Sequence, residues 1–155
     1  MGLRYFFRNL FALPEPITDP TFGPIFDNYG TWAGDQCRIS GVSNPVGIIV
    51  PGDSDGPFDS SRRDFQDIVN QLPSLNDKAA VKLFDLCTEQ IDPDESIREP
   101  SDVWSIATLT LIDVGPCSGP TPCDFELGYS IEWDPEHTYR ARFKDEEILE
   151  FYADG

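Results

Sequence analysis

Hydrophobic positions alternate with polar ones most regularly near the end of the chain, and this period of two predicts β-strands. In the clearest strand, polar or small residues separate Phe125, Leu127, Tyr129, Ile131 and Trp133. A second strand follows at 139–144, where Arg140, Arg142 and Lys144 occupy the polar positions, and a third is expected at 148–152. The pattern therefore predicts a C-terminal β-meander over about residues 125–152.

Helical spacing appears in the middle of the chain and predicts a central pair of helices at about 59–72 and 75–91. Pro73 separates the two segments and is expected to end the first helix. Shorter apolar segments at 22–26, 31–33, 46–50 and 109–114, punctuated by glycines, predict further strands. A short helical turn is expected at 103–106. The predicted fold class is α+β, with mostly antiparallel sheet or sheets around the helical pair.

The parity of the apolar positions restricts how the last two long strands pair. Directly opposed residues of antiparallel strands face the same side, and both apolar sets carry odd numbers, so paired positions must sum to an even number. A five-residue loop at 134–138 satisfies this rule and places Trp133 opposite Tyr139 and Glu132 opposite Arg140. We therefore predict that Trp133 is buried and that His137 is a structural residue at the end of this hairpin.

The first sixteen residues form a separate apolar and basic arm, followed by a single acidic domain at 17–155. Residues 1–14 contain Arg4 and Arg8 and no acid, so they carry +2, which leaves −19 of the total charge of −17 for the remainder. The apolar residues of the arm follow helical spacing: Leu3, Phe6, Phe7, Leu10 and Phe11. We expect the arm to dock either on its own domain or on a second copy, which would make a homo-oligomer.

The charge of the chain limits its partners. There are 28 acidic residues and 11 basic ones, which disfavours binding to nucleic acid or to anionic lipid. If charge selects a partner, that partner is a basic protein; the alternative is that the acidity only keeps the chain soluble. No segment approaches the ~20 apolar residues of a membrane span. Arg8 interrupts the apolar start and no small-residue cleavage site follows, so a cytoplasmic location is expected.

Few residues suggest chemistry. His137 is the only histidine, and it lies beside Asp134 and Glu136, so these three residues and Trp133 are candidates for a ligand site or for a structural turn. No nucleophile can be placed next to His137, and no phosphate-binding glycine motif occurs, so no catalytic residue, metal or cofactor is predicted. The four cysteines form no C-x-x-C pair, although Cys117 and Cys123 could approach each other across the intervening loop.

Two short motifs allow a comparison with known domains. Thr18-Asp-Pro-Thr-Phe-Gly23 lies near the start, and Trp133-Asp-Pro-Glu-His137 precedes the last hairpin. Over roughly residues 17–155 the chain resembles a group of uncharacterised bacterial domains that open with a Phe-Gly turn and close with a Trp-Asp-x-Glu-His-Gly signature. Thr138 stands where that group commonly has Gly. Some of its members look like immunity proteins of bacterial toxin systems, so the resemblance implies an inhibitor of a toxin.

Three functional hypotheses follow from these observations. The first is a non-catalytic acidic domain that binds a basic protein, for example an immunity-like inhibitor of a basic toxin. The second is a metal- or ligand-binding protein, or a hydrolase, that uses Asp134, Glu136 and His137. The third is a structural module that self-associates through the N-terminal arm.

Overall fold

A single mixed sheet organises the chain. The computed structural model describes residues 15–117 and 122–155, so the predicted helix of the arm, with Leu3, Phe6, Phe7, Leu10 and Phe11, lies outside the described residues. The described strands are β1 (Ile17–Asp19), β2 (Gly23–Asp27), β3 (Thr31–Cys37), β4 (Val46–Asp53), β5 (Gly56–Pro57), β6 (Ala107–Cys117), β7 (Cys123–Ile131), β8 (Asp134–Lys144) and β9 (Glu147–Asp154). They confirm an α+β fold with a mostly antiparallel sheet.

The order of the strands explains where the long connection must pass. Across the sheet they run β1-β2-β3-β4-β6-β7-β8-β9, with the short β5 paired to β4. β4 and β6 are parallel neighbours, whereas the other described pairings are antiparallel. Parallel neighbours need a long crossover connection. Helix α1 (Asp59–Thr88) and a 3₁₀ helix (Pro100–Ser105) provide it and cover one face of the sheet.

The predicted pair of helices is one continuous helix, and the prediction that Pro73 ends the first of them is wrong. Proline in a helix interior removes a hydrogen bond and disfavours the helix by ~3 kcal/mol. Here Pro73 lies on the exposed side of α1, while the buried stripe runs past it without interruption, from Leu72 to Leu75 and on to Ala79. Burying the whole stripe outweighs the local penalty, because each large apolar side chain contributes ~1.5–3 kcal/mol.

The C-terminal meander is confirmed, but its first hairpin has another register. Phe125 lies opposite Phe143, Leu127 opposite Ala141 and Tyr129 opposite Tyr139. These sums are even, as the parity rule requires. The turn falls at Glu132 and Trp133, however, and residues 134–138 belong to strand β8. The predicted pairs Trp133–Tyr139 and Glu132–Arg140 are therefore wrong.

A bulge accounts for this difference. The pairing of β7 and β8 shifts between Tyr129 and Ile131, so that Ile131 lies opposite Asp134, an odd sum that regular strands would not allow. The tight turn that follows leaves Trp133 partly exposed, with 40% of its surface accessible, so the prediction that it is buried is also wrong.

The main core lies between α1 and the sheet face that it covers. The largest fully buried side chain is Tyr129, whose hydroxyl donates a hydrogen bond of 2.8 Å to Asn76 on α1. Complete burial raises the pKa of Tyr129 well above its usual value. At the other end of the sheet, the indole N–H of Trp32 donates to the main-chain oxygen of Asp53 at 2.9 Å. Among the described residues, no helix is long and apolar enough to cross a membrane.

Candidate functional site

Trp133 lies at the rim of a cavity rather than in the core. The cavity measures about 440 Å³ and lies at the C-terminal end of α1, next to the turn between β7 and β8. Its lining residues are Cys87, Gln90, Ile91, Asp92, Asp94, Ile106, Glu132 and Trp133. The sequence singled out Trp133 as a candidate, but apart from its neighbour Glu132 the lining residues come from segments that only the folded chain brings together.

The wall of this cavity combines an aromatic ring, aliphatic side chains and carboxylates. Three acids, Asp92, Asp94 and Glu132, line it, and none of its described lining residues is Lys, Arg or His. Ile91 is fully exposed beside the partly exposed Trp133. A large exposed aliphatic residue next to an exposed tryptophan is typical of a surface that binds something. The acids give that surface a negative potential.

The indole of Trp133 is held in place from below. Its N–H donates a hydrogen bond to the thiol of the buried Cys87, and its ring centroid lies 6.2 Å from that of Tyr139. Burial raises the pKa of the Cys87 thiol, and the hydrogen bond from Trp133 offsets only part of this effect. The contacts with the neutral Cys87 thiol and with Tyr139 therefore fix the orientation of the Trp133 ring.

Two of the predicted site residues, Asp134 and His137, bond to each other. His137 Nδ1 lies 2.8 Å from one oxygen of Asp134 and 3.0 Å from the other. Asp134 also accepts hydrogen bonds from the Tyr139 hydroxyl, at 2.5 Å, and from the backbone N–H of Glu136. The Asp134 carboxylate thus forms hydrogen bonds with three residues of β8 and stabilises the start of this strand.

The protonation of this group follows from the same bonds. Hydrogen bonds from Tyr139 and His137 hold the pKa of Asp134 below its usual value, and the bond to Asp134 raises the pKa of His137. Burial and the bond to Asp134 raise the pKa of Tyr139 to about 12. A raised pKa keeps more of the imidazole protonated, and a protonated imidazole can neither accept a further proton nor bind a metal ion. The arrangement supports the structural role predicted for His137, in a strand rather than in a loop, and Glu136 contributes its main chain.

A second cavity, also acidic, lies beside the N-terminal half of α1. It measures about 430 Å³, and five carboxylates line it: Asp64, Asp67, Asp124, Asp145 and Glu146. Asp145 and Glu146 form the two-residue turn between β8 and β9, and both adopt positive φ values, of 50° and 64°. The backbone N–H of Asp145 donates to Asp124 at 2.9 Å, which fixes the turn against the start of β7. The sequence analysis did not identify this cavity.

A ladder of charges crosses the sheet face opposite α1. Glu126 is buried, and its carboxylate lies 3.0 Å from Arg140 Nη1 and 2.9 Å from Arg142 Nε. Each arginine also contacts an acid of β9, Arg140 at Asp154 and Arg142 at Glu150. The sequence analysis places Glu126 and Glu132 at polar positions of one strand and Arg140 and Arg142 at those of the next, which predicts ion pairs across the sheet. It missed the acids of β9, because the register that brings them close could not be derived.

One group among the described residues has the donor atoms for a metal ion. The sulfurs of Cys117 and Cys123 and a carboxylate oxygen of Glu126 lie within 4.8 Å of one another. The two cysteines face each other across β6 and β7 with their Cα atoms 5.1 Å apart, and they form a disulfide. Oxidised sulfur is not a thiolate ligand, and Glu126 already bonds to two arginines, so this group suits a structural role better than a metal.

A comparison with protein-family models, with curated proteins and with solved structures found no match to the chain. The resemblance to the bacterial domains with a Phe-Gly turn and a Trp-Asp-x-Glu-His signature therefore stays a prediction. The arguments about function therefore rest on the geometry and charge of the described residues.

Proposed function

We propose that this protein is a non-catalytic, acidic binding domain whose partner is a basic protein. The observation that carries the proposal is the partly exposed Trp133 at the rim of a cavity whose described charged lining residues are all carboxylates. An aromatic face and carboxylates together form the chemistry that recognises a cationic side chain.

The composition of the cavity fits a lysine or an arginine of the partner. Tryptophan is the aromatic side chain that attracts a cation most strongly over its face, with ~0.5–2 kcal/mol in favour of binding. Ile91 and Ile106 offer aliphatic contact for the carbon stem of such a side chain. Asp92, Asp94 and Glu132 then surround its charged end.

The charge of the whole chain supports the same partner. A net charge of −17 attracts a basic protein over a distance and raises the rate of productive encounter. Both cavities border α1, the second at Asp67 and the first at Cys87. These two residues are twenty positions apart, which corresponds to ~30 Å along a helix. Two acidic cavities at this spacing suit a partner with more than one basic group on its surface.

An immunity-like inhibitor of a basic toxin is the specific form of this proposal. A nuclease needs a basic groove to bind phosphate, so an acidic surface can occupy that groove and exclude the substrate. The resemblance noted in the sequence points in the same direction, as does the expected cytoplasmic location, where such an inhibitor would meet its toxin.

The proposal is tested with small probes in place of the unknown partner. Tripeptides Gly-Lys-Gly and Gly-Arg-Gly, with blocked ends, are titrated into isotope-labelled protein, and the NMR signal of the Trp133 indole N–H is followed. Gly-norleucine-Gly is the matched control, since norleucine has the carbon stem of lysine without the charge. We expect the lysine and arginine peptides to shift the Trp133 signal and the norleucine peptide to shift it far less.

Variants then locate the effect. Trp133→Ala should abolish the lysine-dependent shifts at Ile106, and Glu132→Gln should weaken binding several-fold. Asp27→Asn, on the exposed end of β2, removes the same charge far from the cavity and should leave binding within about twofold. Equal binding of the norleucine and lysine peptides, or an affinity that salt does not lower, would show that cation recognition is not the function of this cavity.

A further inference from the structure

Strand β9 forms the longer of the two edges of the sheet. Within the described residues the order of strands begins with β1, which has three residues, and ends with β9, which has eight. An antiparallel edge strand directs the N–H and C=O groups of every second residue away from its neighbour, where another strand can bind them. Natural proteins often keep edge strands very short, as β1 is. The outer edge of β9 can therefore pair with an extended segment of a partner.

The regular part of this edge is five residues long. Residues 150–154 pair with β8 without interruption, whereas one extra residue, Leu149, shifts the register before them and forms a bulge. Alternate side chains of a strand point to the same face, and each residue adds ~3.4 Å of length. Glu150 and Asp154 therefore lie on one face of the sheet, ~14 Å apart.

The charge ladder ends with acids at this edge. Glu126 of β7 bonds to Arg140 and Arg142 of β8. Each arginine in turn bonds to one acid of β9, Asp154 or Glu150. Acid, base and acid thus follow one another across three strands, and the series continues with a base on a fourth strand. The three carboxylates exceed the two guanidinium groups by one negative charge, which a basic fourth strand would balance.

The two acids of β9 can still bind a further cation. Of the side-chain surface, 49% is accessible in Asp154 and 50% in Glu150, against 7% in the buried Glu126. Asp154 meets its arginine through Oδ2 at 2.8 Å, and Glu150 through Oε2 at 3.2 Å. A carboxylate accepts hydrogen bonds with both oxygens, so the other oxygen of each acid can receive a donor from outside the sheet.

We infer that an extended basic segment of a partner protein pairs with the outer edge of β9. Backbone hydrogen bonds supply the affinity, and side chains at alternate positions supply the specificity. Two basic residues of the segment, four positions apart, lie next to Glu150 and Asp154, and the residue midway between them faces Tyr152. A second copy of this chain is a poor occupant, because its own β9 brings further acids to the same edge.

A short basic peptide tests this inference on the full chain. The probe is Thr-Lys-Val-Thr-Val-Lys-Thr with blocked ends, whose lysines are four positions apart and so point to one face of a strand. The control, Thr-Lys-Lys-Thr-Val-Val-Thr, has the same composition, but its adjacent lysines point to opposite faces. We expect nuclear Overhauser contacts between the backbone of the probe and residues 150–154, and several-fold weaker binding of the control peptide.

Variants of β9 show whether its acids select the probe. Glu150→Gln and Asp154→Asn each remove a charge but keep an oxygen that can accept from the neighbouring arginine. Together they should weaken binding of the probe by about fivefold, as expected for the loss of two exposed ion pairs. Asp27→Asn removes an exposed charge from β2, near the other edge of the sheet, and should change binding by less than about twofold.

The inference shares the basic partner of the proposed function but uses a different surface, and the assay separates the two. Contacts at 150–154 that persist in Trp133→Ala support pairing at the edge, even if the cavity binds no cation. Contacts confined to the cavity around Trp133, or equal binding of the two peptides, overturn the inference and leave the proposed function standing. Self-association of the chain through residues 150–154 without peptide would show that a second copy occupies the edge, and would also overturn it.

Discussion

Asp113 and Glu126 lie directly opposite each other on β6 and β7, so two carboxylates share one guanidinium. Arg140 Nη1 lies 3.0 Å from Glu126 but 3.7 Å from Asp113, so Glu126 holds the arginine more closely. Burial, and then the charge of Glu126, raise the pKa of Asp113 to about 6, and Arg140 offsets only part of this rise. Asp113 is therefore the member of the ladder that is least stable as a charged group.

This relationship predicts a specific pH dependence. Between the ordinary pKa of 3.8 and the folded value of about 6, the folded chain binds more protons at Asp113 than the unfolded chain does, so its contribution to stability falls as the pH rises through this window. Asp113→Asn should therefore stabilise the protein by about 1–3 kcal/mol at about pH 7 and by almost nothing at about pH 4. Urea unfolding of both proteins across this range measures the difference. Asp27→Asn is the control, and a pH-independent difference for Asp113→Asn would contradict the prediction.

Asp19 gives the opposite pH dependence. Burial raises its pKa, but hydrogen bonds from Arg62 and from the backbone N–H groups of Thr21 and Phe22 outweigh burial and lower the pKa below 3.8. The stability that these bonds contribute is present above that value and is lost as the pH falls through the lower folded pKa. Asp19→Ala should destabilise the fold by about 2–4 kcal/mol at neutral pH, because it leaves buried donors without an acceptor.

The partner of Asp19 allows a matched comparison. Arg62 meets Asp19 with two nitrogens, at 2.8 Å and 2.6 Å, whereas the neighbouring Arg63 is exposed on α1. Arg62→Ala should lower the free energy of unfolding by more than about 1 kcal/mol, and Arg63→Ala by less than about 0.5 kcal/mol. Equal effects in thermal unfolding would show that the ion pair contributes little.

Two of the three tryptophans, Trp32 and Trp133, should respond differently to truncation. Trp32 is buried with its indole N–H bonded, so Trp32→Ala should destabilise the fold by about 3–5 kcal/mol. Trp133 is partly exposed, and Trp133→Ala should destabilise it by only about 1–2 kcal/mol. Chemical unfolding measures both values. A loss at Trp133 as large as that at Trp32 would indicate that Trp133 acts mainly in packing.

Pro73 should be a destabilising residue. It lies inside α1 on the exposed side, where its ring fills no space in the core and its missing N–H removes a helical hydrogen bond. Pro73→Ala should raise the free energy of unfolding by about 1–3 kcal/mol. Ser74→Ala, at the next exposed position, should change it by only about 0.5 kcal/mol. No gain at position 73 would contradict this prediction.

The disulfide between Cys117 and Cys123 closes a short loop, with a sequence separation of 6. Loop-closure entropy for this length predicts a stabilisation of about 2 kcal/mol. The double variant Cys117→Ser, Cys123→Ser should therefore lose about this amount, and a reducing agent should have the same effect on the natural chain but none on the variant. Free thiols at both positions in the oxidised protein would contradict the prediction.

Periodicity and charge were enough to predict the class of the fold and the existence of its longer elements. Alternation predicted strands at 125–133 and 139–144, which correspond to β7 (Cys123–Ile131) and β8 (Asp134–Lys144), because one face of each strand is buried and the local pattern reflects this burial. The same argument identified both halves of α1. The acidity of the protein, and with it the expectation of a basic partner, needed no structure at all.

Register, exposure and the surroundings of single residues were decided only by the tertiary structure. Parity restricted the β7–β8 pairing, but a bulge and a tight turn chose among the allowed registers, and this choice placed Trp133 at the surface. Pro73 is tolerated because a buried stripe on both sides of it outweighs a local penalty, and the pattern alone cannot compare these two energies. The elevated pKa of Asp113 likewise arises from burial and from Glu126, which the register of the neighbouring strand β7 places opposite it. Local sequence specifies which face of an element is apolar, but the balance of non-local packing energies decides where each face lies and what it meets.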